Sequence, residues 1–331
     1  MLDMNQLNEG LTGKVVAITG ASGYIGSAIV RSLANYSVKI IRISRKKLDP
    51  QFGINDWVLD LTTLSSWVKI VNEVDIIFHL SSNTSIYEAE KNPKDSLEAN
   101  LFPISQLVAA SKKMSRIPRV IFASTATVYG MKSDFPVKES DEVNPITVYD
   151  KHKLLAEEQL IFATQKNIIS AVILRLANVY GPSVNESMAS DRGILSKITR
   201  MKFEGKKLYV YGNGLYLRDY VYIDDVVEAF LYSSIMINNS CIYNVASGYG
   251  TSIKDVFSLI SSEVEMLTEL TGIIEFKEWP KEVNDIEKRN FIGSNELLKL
   301  SSDWRPKVFL NQGIHQLVSH YAEEYIQNEI S

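Results

Sequence analysis

The sequence predicts an α/β protein: a doubly wound parallel sheet with a smaller carboxy-terminal α/β lobe. One observation is the set of short β-branched runs, "KVVAIT" (14–19), "VKIIRI" (38–43), "DIIFHL" (75–80), "RVIFAS" (119–124) and "ISAVILRL" (169–176). Runs that are apolar throughout, not alternating, suit strands covered on both faces. A second is the helical spacing of the intervening segments 24–35, 95–113 and 148–166. A third is the change of texture after residue 177, where 177–217 is rich in Gly, Asn, Ser and Tyr. Strand-like "DYVYI" (219–223) and "IYNVA" (242–246) then return, followed by helices at 252–270, 294–301 and 310–328. The expected division is a main domain over 13–177 that also receives approximately 218–246. A lobe takes 178–217 and 247–331, after an amino-terminal extension at 1–12.

Composition narrows the class. The chain has 331 residues, 45% hydrophobic and 22% charged, with a net charge of -4. That balance argues against a nucleic-acid partner, which calls for a basic face. One cysteine, Cys241, allows no internal disulfide and suits a reducing compartment. No Cys/His cluster offers a metal site. The stretch "MLDMNQLNEGLTG" lacks the features of a signal peptide, and no apolar run reaches membrane-spanning length, so a cytoplasmic protein without membrane contact is expected.

"ITGASGYIG" (18–26) follows the first strand and opens the first helix. Gly20, Gly23 and Gly26 have the spacing that lets a backbone approach a pyrophosphate, with the helix amides of Tyr24 and Ile25 facing it. This is the mark of a dinucleotide-binding, Rossmann-type domain. At the end of the second strand an Asp or Glu would bind the adenosine ribose; Ser44 stands there instead, followed by Arg45, Lys46 and Lys47. A serine and three cations favour NADP(H), with NAD(H) as the alternative. Asp60 and Leu61, after a third strand, are placed to meet the adenine.

"PITVYDKHK" (145–153) sets Lys153 one helical turn after Tyr149. With "GASGYIG", "FHLSS" (78–82), "FASTATVYG" (122–130), "LRLANVYGP" (174–182), "LRDYVYIDDVVEA" (217–229), "YNVASG" (243–248) and "WRPKVFLNQGI" (304–314), the chain resembles the extended short-chain dehydrogenases/reductases. Within them it is similar to the NAD(P)-dependent nucleotide-sugar epimerase/dehydratase group, over almost its whole length.

The resemblance implies a catalytic trio of Thr125, Tyr149 and Lys153. The Lys153 ammonium, assisted by the positive nicotinamide ring, would lower the Tyr149 pKa from its usual value near 10, and Lys153 would hold the nicotinamide ribose. Thr125 would bind the reacting sugar hydroxyl or carbonyl. It also implies that Leu80, Ser81, Ser82 and Ser124 lie beneath the cofactor, and that Asn100 steadies the backbone there. Thr84, Ser85, Asn178, Tyr211 and Arg218 would contact the substrate, a nucleotide-diphosphate sugar. Arg218 would take the diphosphate, its alternative being an ion pair with Asp219 or Asp224. Lys281 or Arg289 would complete that site, and Tyr87 is a further candidate near the sugar. Apolar residues on 95–113 and 148–166 (Leu101, Ile104, Leu107, Val108; Leu154, Leu155, Leu160, Ile161) match helices that pair in homodimers of the group.

Thr125 is followed by Ala126 and Thr127, where the 4,6-dehydratases of the group carry Asp-Glu. Two readings at carbon 4 remain: a 4-keto (6-deoxy) sugar reductase, toward which the "ISRKK" turn tilts, and a 4-epimerase that keeps NAD bound. A non-catalytic dinucleotide sensor would predict a broken trio. The identities of nucleotide and sugar are not legible.

Overall fold

The computed structural model describes residues 4–183, 193–236, 241–268, 270 and 273–330. Seven strands form the main sheet: β1 (Val15–Thr19), β2 (Lys39–Ser44), β3 (Ile54–Val58), β4 (Ile76–His79), β5 (Arg119–Thr125), β6 (Ser170–Leu176) and β10 (Cys241–Val245). Their order is β10-β6-β5-β4-β1-β2-β3, and every pairing is parallel. The order reverses between β1 and β4, so a crevice opens beyond their carboxyl ends, where Thr19 pairs with Ile43 and His79.

The apolar runs are continuous because both faces are covered. Val16 and Ile18 join one buried cluster while Ala17 joins the other. Ile121 lies on the first side and Val120 and Phe122 on the second. Helix α2 (Tyr24–Leu33) covers the first face through Ala28, Ile29 and Leu33, together with the helix Ile223–Ile235. Helices α3 (Leu64–Glu73), α6 (Phe102–Met114) and α7 (Val148–Gln165) cover the second.

Three expectations change. The helix expected over 95–113 divides into α5 (Pro93–Asn100) and α6, with Leu101 between them and Pro103 in the first turn of α6. Proline offers no N–H to continue the α5 ladder, so the chain restarts there. Of the residues expected on an outward helix face, Ile104, Leu107 and Leu160 are fully buried against the sheet. The 219–223 run does not return to the main sheet. It belongs to β9 (Leu217–Tyr222), which pairs with β7 (Asn178–Tyr180) and with β11 (Gly250–Ser252) in a separate three-stranded sheet. From the stretch 218–246, only β10 enters the main sheet, with the helix Ile223–Ile235 packed on it.

A two-stranded sheet of β8 (Leu208–Tyr211) and β12 (Ile274–Lys277) lies beyond. Residues 4–11 of the amino-terminal extension form helix α1, which buries Leu7 and Leu11 in the main core. Among the described residues no helix is long and apolar enough to cross a membrane.

Candidate active site

The β1–α2 turn is shaped for close approach. Gly20 has φ +69°, and a Cβ there would stand 2.9 Å from the Ser81 amide nitrogen. A Cβ on Gly26 would meet the Gly20 carbonyl oxygen at 2.2 Å. Gly23, the N-cap of α2, has no side chain to cap the helix, so the first-turn amides face the crevice. A cleft of about 540 Å³ runs over this turn. Gly20, Gly23, Tyr24, Ile25 and Gly26 form its floor. Ser44, Arg45 and Leu61 close one end, and Leu80, Ser81, Ser82 and Thr84 follow β4 along it. Ser124, Tyr149, Lys153 and Asn178 line the other end. The bare glycine floor and uncapped amides fit a dinucleotide diphosphate. Tyr24 turns its hydroxyl to the Gly181 carbonyl at 2.8 Å, tying the turn to the lobe.

Four residues expected in the site stand off the wall of this cleft. Asp60 spends its carboxylate on its own loop, accepting from the Thr62 amide at 2.9 Å and hydroxyl at 2.8 Å. Those bonds, the amide first, hold its pKa below the usual carboxylate range. Asn100 is buried and donates to the Ser96 and Asn83 carbonyls, while Ser82 donates to it at 2.5 Å. Its place fits the backbone-steadying role, not cofactor contact. Ser85 caps α4 (Ile86–Lys91), accepting from the Glu88 amide. Thr125, partly exposed, closes β5 and shares a 2.8 Å hydrogen bond with the Thr127 hydroxyl. At the ribose end, Ser44 donates to the Lys46 carbonyl and Arg45 faces the cleft, whereas Lys46 and Lys47 do not line it.

Tyr149 and Lys153 lie one turn apart near the start of α7, both buried. The expected electrostatic partnership takes a different form. Burial pushes the Tyr149 pKa up, Asp150 beside it pushes further, and only a hydrogen bond with Ser82 opposes them. Lys153 donates to the Ala123 carbonyl at 2.5 Å and rests over the Phe122 ring at 4.0 Å. Burial lowers its pKa to about 7, with Glu157 opposing. Within the polypeptide, then, burial and the neighbouring Asp150 favour the neutral phenol at Tyr149.

Glu157, one turn beyond Lys153, carries no mark in the sequence beyond that spacing. It is fully buried, accepts from Arg175 Nη2 at 2.7 Å and from the Ser124 hydroxyl, and so fixes the end of β5 against α7.

A second cavity, about 750 Å³, adjoins the first at Asn178 and Ile194, which line both. Arg218 and Arg289 sit in its wall with Tyr211 and Trp279, whose rings stack at 5.4 Å. Of the two residues expected beside Arg218, Arg289 lines this cavity and Lys281 does not; Lys91 lines it as well. Arg218 pairs with neither Asp219 nor Asp224. Asp219 accepts from the Ser247, Gly248 and Gly293 amides, and Asp224 faces Arg31 at 3.8 Å. Arg218 instead donates to the Glu287 carbonyl at 2.7 Å and to the Arg289 carbonyl. Burial first, then the Arg289 charge, brings its pKa to about 10. Two adjacent, partly desolvated guanidiniums form a site that an anion would stabilise. Tyr87 borders this cavity as well. Residues 184–192 of the expected lobe lie outside the described residues.

Residues 16–246 match the model of the NAD dependent epimerase/dehydratase family. A UDP-glucose 4-epimerase of Mycolicibacterium smegmatis is 26% identical over 322 residues, covering 93% of this chain and 98% of that protein. A human dTDP-D-glucose 4,6-dehydratase is 26% identical over 331 residues, covering 94% and 91%. Among solved structures, the UDP-glucose 4-epimerase of Thermotoga maritima with UDP-glucose superposes with a TM-score of 0.82 at 25% identity. That match covers 96% of this chain and 100% of the other.

Proposed function

Since the chain belongs to the NAD dependent epimerase/dehydratase family, we propose that it is an oxidoreductase acting at carbon 4 of a nucleotide-diphosphate sugar, as a 4-epimerase. The observation that carries this reading is the junction of two cavities. One has a glycine floor suited to a dinucleotide and is lined by Tyr149, the other a pair of guanidiniums suited to a diphosphate, and they meet at Asn178 and Ile194. The 4-epimerases among its relatives turn the balance away from the reductase that the sequence favours.

A dinucleotide held over Gly20, Gly23 and Gly26 would supply one chemistry, a reversible acceptor for the hydride of carbon 4. Tyr149, as the phenolate that Lys153 and the positive ring of a bound oxidised dinucleotide would favour, takes the hydroxyl proton as the C4–H bond breaks, and gives it back to the ketone oxygen as that bond reforms on the other face. Lys153 holds the ribose beside it, and Arg218 and Arg289 hold the diphosphate away from the reacting carbon, where binding energy fixes orientation. Loss of water from carbons 5 and 6 is not part of this reading. Ala126 and Thr127 bring no carboxylate to the sugar, and the nearby Asp150 is buried.

A second reading, the 4-keto (6-deoxy) sugar reductase with NADP(H), is favoured by Arg45 on the cleft wall where an acid would exclude a 2′-phosphate. The neutral phenol of Tyr149, ready to donate, suits it too. Denaturing the purified protein and identifying the released dinucleotide by mass separates the two. Near-stoichiometric NAD is the expected result. An empty protein that binds NADPH more tightly than NADH contradicts the epimerase reading in favour of the reductase.

We also read Phe102, Leu155 and Phe162, exposed on α6 and α7, as the surface of a homodimer. We read the enzyme as cytoplasmic, in keeping with a water-soluble nucleotide-sugar substrate.

A further inference from the structure

We propose that Tyr24 is a positioning residue: the bond from its hydroxyl to the Gly181 carbonyl aligns the substrate cavity with the dinucleotide floor, and so serves turnover more than the binding of either ligand. The inference rests on the reading of the site given above and deepens it.

Tyr24 opens α2 directly after its N-cap, Gly23. Its amide belongs to the first turn that faces the cleft, and the residue lines that cleft. Its hydroxyl turns to the lobe instead, donating to the Gly181 carbonyl at 2.8 Å. A phenol has one proton, so this bond fixes the direction in which it points. Burial first, then the phenols of Tyr222 and Tyr321, push its pKa well above the usual tyrosine value and keep the proton in the bond.

The acceptor is as closely built as the donor. Gly181 has φ +135°, and a Cβ there would stand 2.6 Å from Ile223 Cγ2 and 3.1 Å from the Tyr222 ring. Only glycine lets the backbone lie this close to the helix Ile223–Ile235 with its carbonyl on Tyr24.

Gly181 directly follows β7, whose first residue, Asn178, lines both cavities. β7 pairs with β9, Asn178 beside Tyr220, and both Tyr220 and Arg218 of β9 stand in the wall of the second cavity. The strands that shape the substrate side are thus tied to the glycine turn through Tyr24. Hydride transfer depends on that relation, since a displacement of about 1 Å can cost a hundredfold in rate. Binding depends on it less, because each cavity keeps its own walls when the tie is cut.

Tyr24→Phe removes the hydroxyl and keeps the ring. Tyr180→Phe is the matched control. Tyr180 lies on β7 with its ring 5.4 Å from that of Tyr222, and its buried hydroxyl has no hydrogen-bond partner. The test measures turnover of UDP- and dTDP-hexoses and of their C4-deuterated forms. It is paired with separate calorimetric titrations with NAD and with UDP or dTDP, whichever the active sugar carries. Tyr24→Phe should lower kcat by about tenfold, the scale of one hydrogen bond, with both dissociation constants unchanged. Its isotope effect on kcat should be no smaller than that of wild type, since hydride transfer is the step that slows. Tyr180→Phe should match wild type throughout.

An unchanged kcat in Tyr24→Phe overturns the proposal. So does a loss that appears in the dissociation constants instead of kcat. An equal fall in Tyr180→Phe overturns it too, because the effect would then come from packing among the tyrosines. A wild-type protein that turns over none of these sugars overturns the proposed function, and the positioning role with it.

Discussion

Tyr149→Phe should lower kcat by roughly a thousandfold, within the range that a positioned acid/base contributes, while dinucleotide binding and the unfolding midpoint stay near wild type. The hydroxyl is lost from a side chain whose ring remains buried in the cleft wall, so packing is retained. Its hydrogen bond with Ser82 also goes, but Ser82 keeps its bond to Asn100. Turnover, cofactor titration and thermal unfolding of the same preparation check the three parts. A loss of less than about tenfold would mean that another group carries the proton, since it would fall below the hundredfold floor of such catalysis.

Glu157→Ala should cost about 3–5 kcal/mol of stability, the usual penalty for leaving one member of a buried ion pair uncompensated. Glu157 and Arg175 are 0% and 4% exposed at their side chains, and Arg175 meets the carboxylate through both Nε and Nη2. With Glu157 gone, Arg175 Nη1, which has no partner already, would be joined by two more unsatisfied donors. The Ser124 hydroxyl would lose its acceptor, loosening the end of β5 on the cleft wall. Glu157 also opposes the burial that lowers the Lys153 pKa to about 7, so its removal should lower that pKa further. Denaturant unfolding of Glu157→Ala against Glu157→Gln, which keeps the shape, gives the measurement. A cost below about 1 kcal/mol, the scale of an exposed pair, would show that the pair is not buried as described.

The main sheet was legible because its central strands are apolar on both faces, a pattern that few other structures require. The edge strand β3, "INDWV", is largely exposed, so burial wrote no apolar run there. The β9 run looks like the central strands, but sequence does not say which sheet a strand joins, and its partners are more than thirty residues away on either side. The glycine floor, Tyr149, Lys153 and Asn178 line one cleft, since the glycines follow β1, Tyr149 and Lys153 lie in the first turns of α7, and Asn178 follows β6. Arg289 could only be named beside Lys281, because the 278–293 segment has little regular structure to index it. The field that the chain alone sets at Tyr149 was not legible for another reason: spacing places Lys153 near the tyrosine but does not say that its ammonium turns to the Ala123 carbonyl. Asp150 and Glu157 read as ordinary helix acids. Only the fold shows that both point inward.

The most direct test of the central claim is to supply nucleotide-diphosphate hexoses deuterated at carbon 4 and follow the label and the configuration by NMR. The expected result is inversion at carbon 4 with the deuterium kept there, slowed by a primary isotope effect, and no net consumption of added cofactor. Inversion with the label lost to water, or a label displaced toward carbon 6, would contradict reversible hydride transfer at carbon 4.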